Sequence, residues 1–95
     1  YDAHNRDDAQ TALRHFMAYR ELAQRLMQLA PGKSESQLEL ASAEINLGTA
    51  LVRDRRLEPA IASFDRAATG LRAMPRTRDV ALNLNQALGH KASAL

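Results

Sequence analysis

The chain has 95 residues, 45% of them apolar and 25% charged, with a formal charge of +2 and no cysteine. That length supports one domain with a modest core. The missing thiols exclude disulfides, thiolate metal sites and a cysteine nucleophile, and no run of about 18 apolar residues exists to cross a membrane. The apolar residues are mainly Ala and Leu, with few β-branched or aromatic ones, which is a composition of helices rather than sheets.

Three breaks divide the chain into four periodic segments: Ala30-Pro31-Gly32-Lys33, the polar Asp54-Arg55-Arg56, and Pro75. The first segment predicts a helix over 7–29, with Ala9, Leu13, Phe16, Ala23, Leu26 and Leu29 at helical steps and Ala12, Tyr19 and Leu22 widening the stripe. Asn5, Asp7 or Asp8 would cap it, and carboxylates in a first turn suit the helix dipole. The stretch Asn5 to Ala9 itself reads as a turn leading into that helix.

The second segment predicts a helix over 35–54. Ser34 and Gln37 have the capping-box spacing, and Leu40, Ala43, Leu47, Ala50 and Leu51 form its stripe. The third, over 57–73, has the cleanest pattern: Leu57, Ala60, Ile61, Phe64, Ala67, Ala68 and Leu71. Pro59 falls in its first turn, where a missing N–H costs little. The fourth, over 78–94, follows Thr77 as cap and carries Ala81, Leu84, Leu88, Ala92 and Leu95. Short breaks favour antiparallel neighbours. Periodicity leaves open whether the four helices close into a bundle or stack as hairpins.

The central stretch combines Leu47-Gly48 and Leu51 with Ala60, Phe64 and Ala67. This resembles the tetratricopeptide repeat (TPR) family, whose first helix carries Leu-Gly followed by a large residue, and whose second carries Ala, an aromatic and Ala at these separations. The physical sense of the pattern is that small Gly48, Ala60 and Ala67 admit neighbouring helices while Phe64 and Leu51 fill the space between. Glu44 stands where the family has an aromatic, Arg55 where it has a turn glycine, and Pro75 three residues late. Ala87-Leu88-Gly89 echoes Asn46-Leu47-Gly48 at a period of 41, against roughly 34 for the family; a rival register pairs Asn83-Leu84 with Asn46-Leu47 at 37. The first is preferred because it preserves Leu-Gly. The resemblance covers residues 40–72 and implies an all-α fold of antiparallel helical hairpins stacked as a short superhelix.

The resemblance also implies a partner-binding concave face lined by first helices. Carried over through Gly48, it comprises Ser42, Ile45, Asn46, Thr49 and Val52 with Arg53 at the rim, then Asn83, Gln86 and His90 on the following helix. An amide such as Asn46 can donate to and accept from a peptide backbone at once. The Lys and Arg carboxylate clamp of chaperone-binding members is absent, so a C-terminal carboxylate is not an expected ligand.

Nothing in the residues suggests chemistry. His4, His15 and His90 lie far apart and match no zinc pattern. Asp7-Asp8 reads as first-turn carboxylates rather than a metal pair, and no serine lies in a nucleophile elbow. No enzyme activity, metal or cofactor is expected. Arg53, Arg55 and Arg56 gather at one hairpin tip and Arg72, Arg76 and Arg78 near the other, with Asp54, Glu58, Asp65 and Asp79 between. That is a solvated surface, and nucleic acid is a disfavoured partner. The expected partner is a protein or peptide. Self-association through the C-terminal helix, whose stripe runs to the last residue, is the structural alternative. The chain starts at Tyr1, which suggests a segment of a larger protein, and its features resemble repeat regions of bacterial signalling proteins. A cytoplasmic location fits the absence of cysteine.

Overall fold

The computed structural model describes the backbone of residues 2–30, 32–75 and 77–95, and the side chains of these residues other than 2–9 and 34. Four helices follow one another: α1 (Asp2–Leu29), α2 (Ser34–Arg53), α3 (Leu57–Arg72) and α4 (Arg78–Ala94). The described residues contain no strand, and no helix is long and apolar enough to cross a membrane.

The helix ends show which local signals operate. α1 starts at Asp2, so the backbone of residues 5–9 is helical and not the turn expected there. No Pro or Gly interrupts that stretch, and early carboxylates favour a helix through its dipole. The capping roles expected of Asn5, Asp7 and Asp8 lie outside the described side chains, as do Ala9 and His4.

α2 is preceded by Lys33 in an extended conformation (φ −89°, ψ 122°) with no side-chain cap. Ser34 is therefore the first helical residue, one position too late for the expected capping box, and its side chain is outside the described set. The far end of α2 closes with two bonds: the Arg55 N–H donates to the Val52 carbonyl at 3.0 Å and the Arg56 N–H to the Leu51 carbonyl at 2.8 Å. This is the Schellman arrangement, which needs a left-handed residue at its centre. Arg55 supplies it at φ 60°, although glycine would adopt that conformation without a Cβ penalty. Pro59 is the third residue of α3, where no intrahelical N–H bond is lost. Thr77 caps α4, its Oγ1 accepting the Val80 N–H at 3.3 Å.

Consecutive helices pack as antiparallel neighbours, and α4 also touches α2. Among the described residues α1 packs on α2 alone. The last helix does not return to the first, so the four form an open row of stacked hairpins and not a closed bundle.

The α2–α3 seam is the tightest part of the row. A Cβ added to Gly48 would lie 2.5 Å from Cε1 and 2.8 Å from Cδ1 of Phe64. Phe64, Ala60, Ala67 and Leu71 are all sealed from solvent. What presses on Gly48 is the edge of the Phe64 ring; glycine here makes room for a side chain.

The outer helices differ from their predicted stripes. On α1, Leu13 and Ala23 are buried and Phe16 and Tyr19 half-buried, but Leu22, Leu26 and Leu29 stand exposed. On α4 the buried face is Val80, Leu84, Ala87 and Ala94, while Ala92 and Leu95 are exposed and Ala81 and Leu88 half-buried. An end helix has a neighbour on one side, so only part of a wide apolar arc is covered.

The burial pattern of α4 follows that of α2 at the shorter of the two offsets. Val80, Leu84 and Ala87 on α4 take the buried places that Ala43, Leu47 and Ala50 take on α2, which is an offset of 37 residues. The preferred offset of 41 would match sealed Ala87 to exposed Asn46, and open Gly89 to crowded Gly48. The Leu-Gly pair misled because a Cβ added to Gly89 would meet nothing within 4 Å, so its smallness answers no packing need within this chain.

Candidate functional site

α2 keeps one stripe at least partly open to solvent. Glu35, Glu39, Asn46 and Arg53 are exposed and Ser42 and Thr49 half-buried, at the three- and four-residue steps of one helix face. Four of the positions expected on a concave face, Ser42, Asn46, Thr49 and Arg53, thus share a surface. Ile45 does not: at 5% exposure it belongs to the core, and Val52 is half-buried against the same cluster. The Thr49 hydroxyl lies 3.0 Å from the Ile45 carbonyl and donates to it, so its donor is satisfied on its own helix.

On α4, Asn83, Gln86 and His90 occupy one face. Gln86 and His90 are exposed, and the half-buried Asn83 amide donates to the Asp79 carbonyl at 2.9 Å. The His90 ring stacks on Phe64, with centroids 5.6 Å apart, and Lys91 pairs with Asp65 at 2.6 Å. These contacts anchor α4 to α3. At the offset of 37, Asn83 corresponds to Asn46 and Gln86 to Thr49, so an asparagine occupies the same place on α2 and on α4.

Asn46 also edges a recess of about 380 Å³ between α1 and α2, lined by His15, Phe16, Ala18, Tyr19 and Leu22. The Tyr19 hydroxyl donates to Glu39 across the same junction. That bond, followed by burial and the nearby carboxylate charge, pushes the phenol up to about 12. Sequence reasoning placed Phe16, Tyr19 and Leu22 in the core of α1, so it missed this recess. The exposed amide in the α2 stripe was the available signal that the surface there is polar at one edge and apolar at the other.

A second feature was legible only as an oddity. Glu44 is 3% exposed. Its Oε2 accepts from Arg66 Nη2 at 3.2 Å and from Arg66 Nε at 3.3 Å, and its Oε1 lies 3.8 Å from Arg20 Nη1. Arg66 Nη2 also donates to the buried Ser63 hydroxyl at 3.0 Å. One carboxylate therefore ties α1, α2 and α3 together. A buried charge of this kind persists because both its oxygens are engaged. The Arg66 side is hydrogen-bonded, whereas Arg20 only pairs at a distance and its Nε is buried without a hydrogen-bond partner; the network ties the helices together without satisfying every donor.

Comparison with protein-family models, with curated proteins and with solved structures finds no match. The functional reading therefore stands on the residues and their placement. Among the described residues no group of three or more His, Asp or Glu side chains is arranged to hold a metal ion. The recesses between the helices have chiefly apolar linings, with amide, imidazole or guanidinium groups among them.

Proposed function

We propose that this chain is a TPR-like helical-repeat segment of a larger protein and acts as a non-catalytic module that binds a protein or peptide partner. The observation that carries the reading is the open row: among the described residues α4 packs on α2 and α3 without reaching α1, and the Ser42–Asn46–Thr49–Arg53 stripe of α2 keeps Asn46 and Arg53 exposed and Ser42 and Thr49 half-exposed. Asn83, Gln86 and His90 on α4 extend the candidate surface. Recognition of this type works by shape and by hydrogen bonds from amides to an extended backbone, on helices already fixed by the Gly48–Phe64 seam. The small-residue pattern at Gly48, Ala60 and Ala67 supports the repeat reading.

The test is selection of binding peptides from a random displayed library against the isolated chain. Selected peptides should lose about tenfold or more in affinity on Gln86→Arg or Thr49→Arg, with the unfolding midpoint unchanged. A library yielding no binder, or binders indifferent to both substitutions, would remove the assignment.

Self-association is the second reading, favoured by one observation: Leu82 and Leu95 are 53% and 83% exposed on α4, beside half-buried Leu88. Light scattering should then show a concentration-dependent doubling of mass that Leu95→Ser reduces.

A further inference from the structure

The uncovered flank of α1 is an apolar feature that the α2–α4 surface does not use. Ala18, Leu22, Leu26 and Leu29 follow one another at steps of four, four and three, so they form a ridge along one side of the helix. Leu22, Leu26 and Leu29 are 56%, 46% and 83% exposed. Over eleven residues the ridge extends about 16 Å, three helical turns. It runs into the Asn46-edged recess, whose floor is Phe16, Tyr19 and Leu22. Ridge and recess together give a groove with an apolar wall on α1 and Asn46 at its α2 edge.

Charge decides what fits there. On the outer shoulder of the ridge stand Arg14 and Arg25, both exposed and both without an ion-pair partner among the described residues. They too are eleven residues apart, in step with the ridge. Glu21, exposed and four residues before Arg25, stands on the same outer shoulder, which therefore carries two positive charges and one negative. On the inner shoulder Glu39 already accepts from Tyr19.

We infer that this groove docks one amphipathic helix of a partner protein, with leucine-type residues seated on Leu22 and Leu26 and carboxylates on the shoulder facing Arg14 and Arg25. A second copy of this chain is a poorer occupant. The open side of its own α4, carrying Ala81, Leu88, Ala92 and Leu95, has Arg78, Asn85 and Ser93 nearby, and the helix bears one carboxylate, Asp79 beside Leu82, where two arginines eleven residues apart call for two. The inference rests on the protein-binding reading above and names a partner class for a different face.

The probe is a fluorescein-labelled synthetic helix with leucines at i, i+4, i+7 and i+11 and glutamates on one shoulder, compared with the same peptide carrying lysines in their place. Anisotropy titrations of the full chain should show the acidic peptide binding about tenfold more tightly, with the margin shrinking as salt is added. Leu22→Asp and Leu26→Asp should each weaken it about tenfold at unchanged helicity, and the double variant R14E/R25E should reverse the preference. Equal affinity for both peptides, no binding of the acidic one, or binding indifferent to Leu22→Asp would overturn the inference. So would a doubling of the chain's own mass that Leu22→Asp abolishes, which would give the face to a second copy. Loss of binding on Gln86→Arg but not on Leu22→Asp would place the peptide on the α2–α4 face, leaving the interaction module standing and this assignment refuted.

Discussion

The α2–α3 seam and the outer flank of α1 are built from the same kinds of residue and reach opposite outcomes. Both carry apolar side chains at helical steps. In the seam, a glycine on one helix receives an aromatic ring from the other, and Phe64 is sealed. On the flank, Leu22, Leu26 and Leu29 meet solvent because no helix lies opposite them. The difference teaches that an apolar stripe states a helix's capacity to be covered, while a small residue facing a large one states that it is covered. Folding stability should therefore concentrate in the seam, and recognition should concentrate where apolar residues lack a complement.

The sharpest break of this comparison is truncation on both sides. Phe64→Ala should cost about 3–5 kcal/mol, enough to unfold a domain of this size or nearly so. Leu26→Ala should stay within about 0.5 kcal/mol, as surface substitutions do. Urea denaturation followed by circular dichroism measures both. Similar losses at the two sites would erase the distinction.

Next in size is the carboxylate that joins the flank's helix to the seam. Glu44→Ala leaves Arg20 and Arg66 without their partner. Their side chains are 25% and 51% exposed, so water recovers part of the loss and the expected cost is about 1–3 kcal/mol. Glu44→Met, which fills the space without charge, should lie within about 1 kcal/mol of the parent. If Met were as damaging as Ala, the ion network would matter for more than removal of an unpaired charge.

A smaller gain is expected at the turn that closes the seam. Arg55→Gly should raise stability by about 0.5–1 kcal/mol, because φ 60° carries a Cβ penalty that glycine lacks, less the extra freedom of glycine in the unfolded chain. A shift of the urea midpoint in the other direction would mean that the Arg55 side chain makes a compensating contact.

The smallest effect concerns the α1–α2 junction. The Tyr19 phenol is raised from 10.0 to about 12, so folding favours its neutral form. Its contribution is complete below the unfolded value and is lost as pH climbs through the folded one. Phenolate absorbance should appear late for Tyr19, and Glu39→Gln should bring it earlier, since the hydrogen bond to Glu39 is the leading cause.

Most of the architecture was legible in the sequence. The four helices were announced by their periodicity and punctuation, and the ends at Leu29, Arg53 and Arg72 fall within a residue of the expected ones. Gly48 and Phe64 were legible as a pair because a helix interior seldom carries glycine without a packing reason. Coverage was not legible. Leu26 and Leu29 satisfy the same spacing rule as Leu13 and Ala23, and only the open topology separates them. The burial patterns of α2 and α4 align at 37 and not at the preferred 41 for a related reason: Gly89 looks like Gly48 in sequence, yet a Cβ there would meet nothing within 4 Å. Of the candidate site, the polar stripe through Ser42, Asn46, Thr49 and Arg53 could be anticipated from the Leu-Gly frame. Ile45 could not be removed from it until its place in the core was seen. Glu44 stood out only as a departure, since its two arginine partners come from helices that sequence alone does not juxtapose.

The most direct measurement is the pair Gly48→Ala and Gly70→Ala, compared by urea midpoint. Both substitutions gain helix propensity, about 1 kcal/mol. At Gly70 a methyl group meets nothing within 4 Å, whereas at Gly48 it meets the Phe64 ring at 2.5 Å, where overpacking costs about 1–3 kcal/mol. The account predicts opposite signs: Gly70→Ala stabilises, Gly48→Ala destabilises, and Phe64→Leu relieves the Gly48→Ala penalty. Stabilisation by both alanines would contradict it.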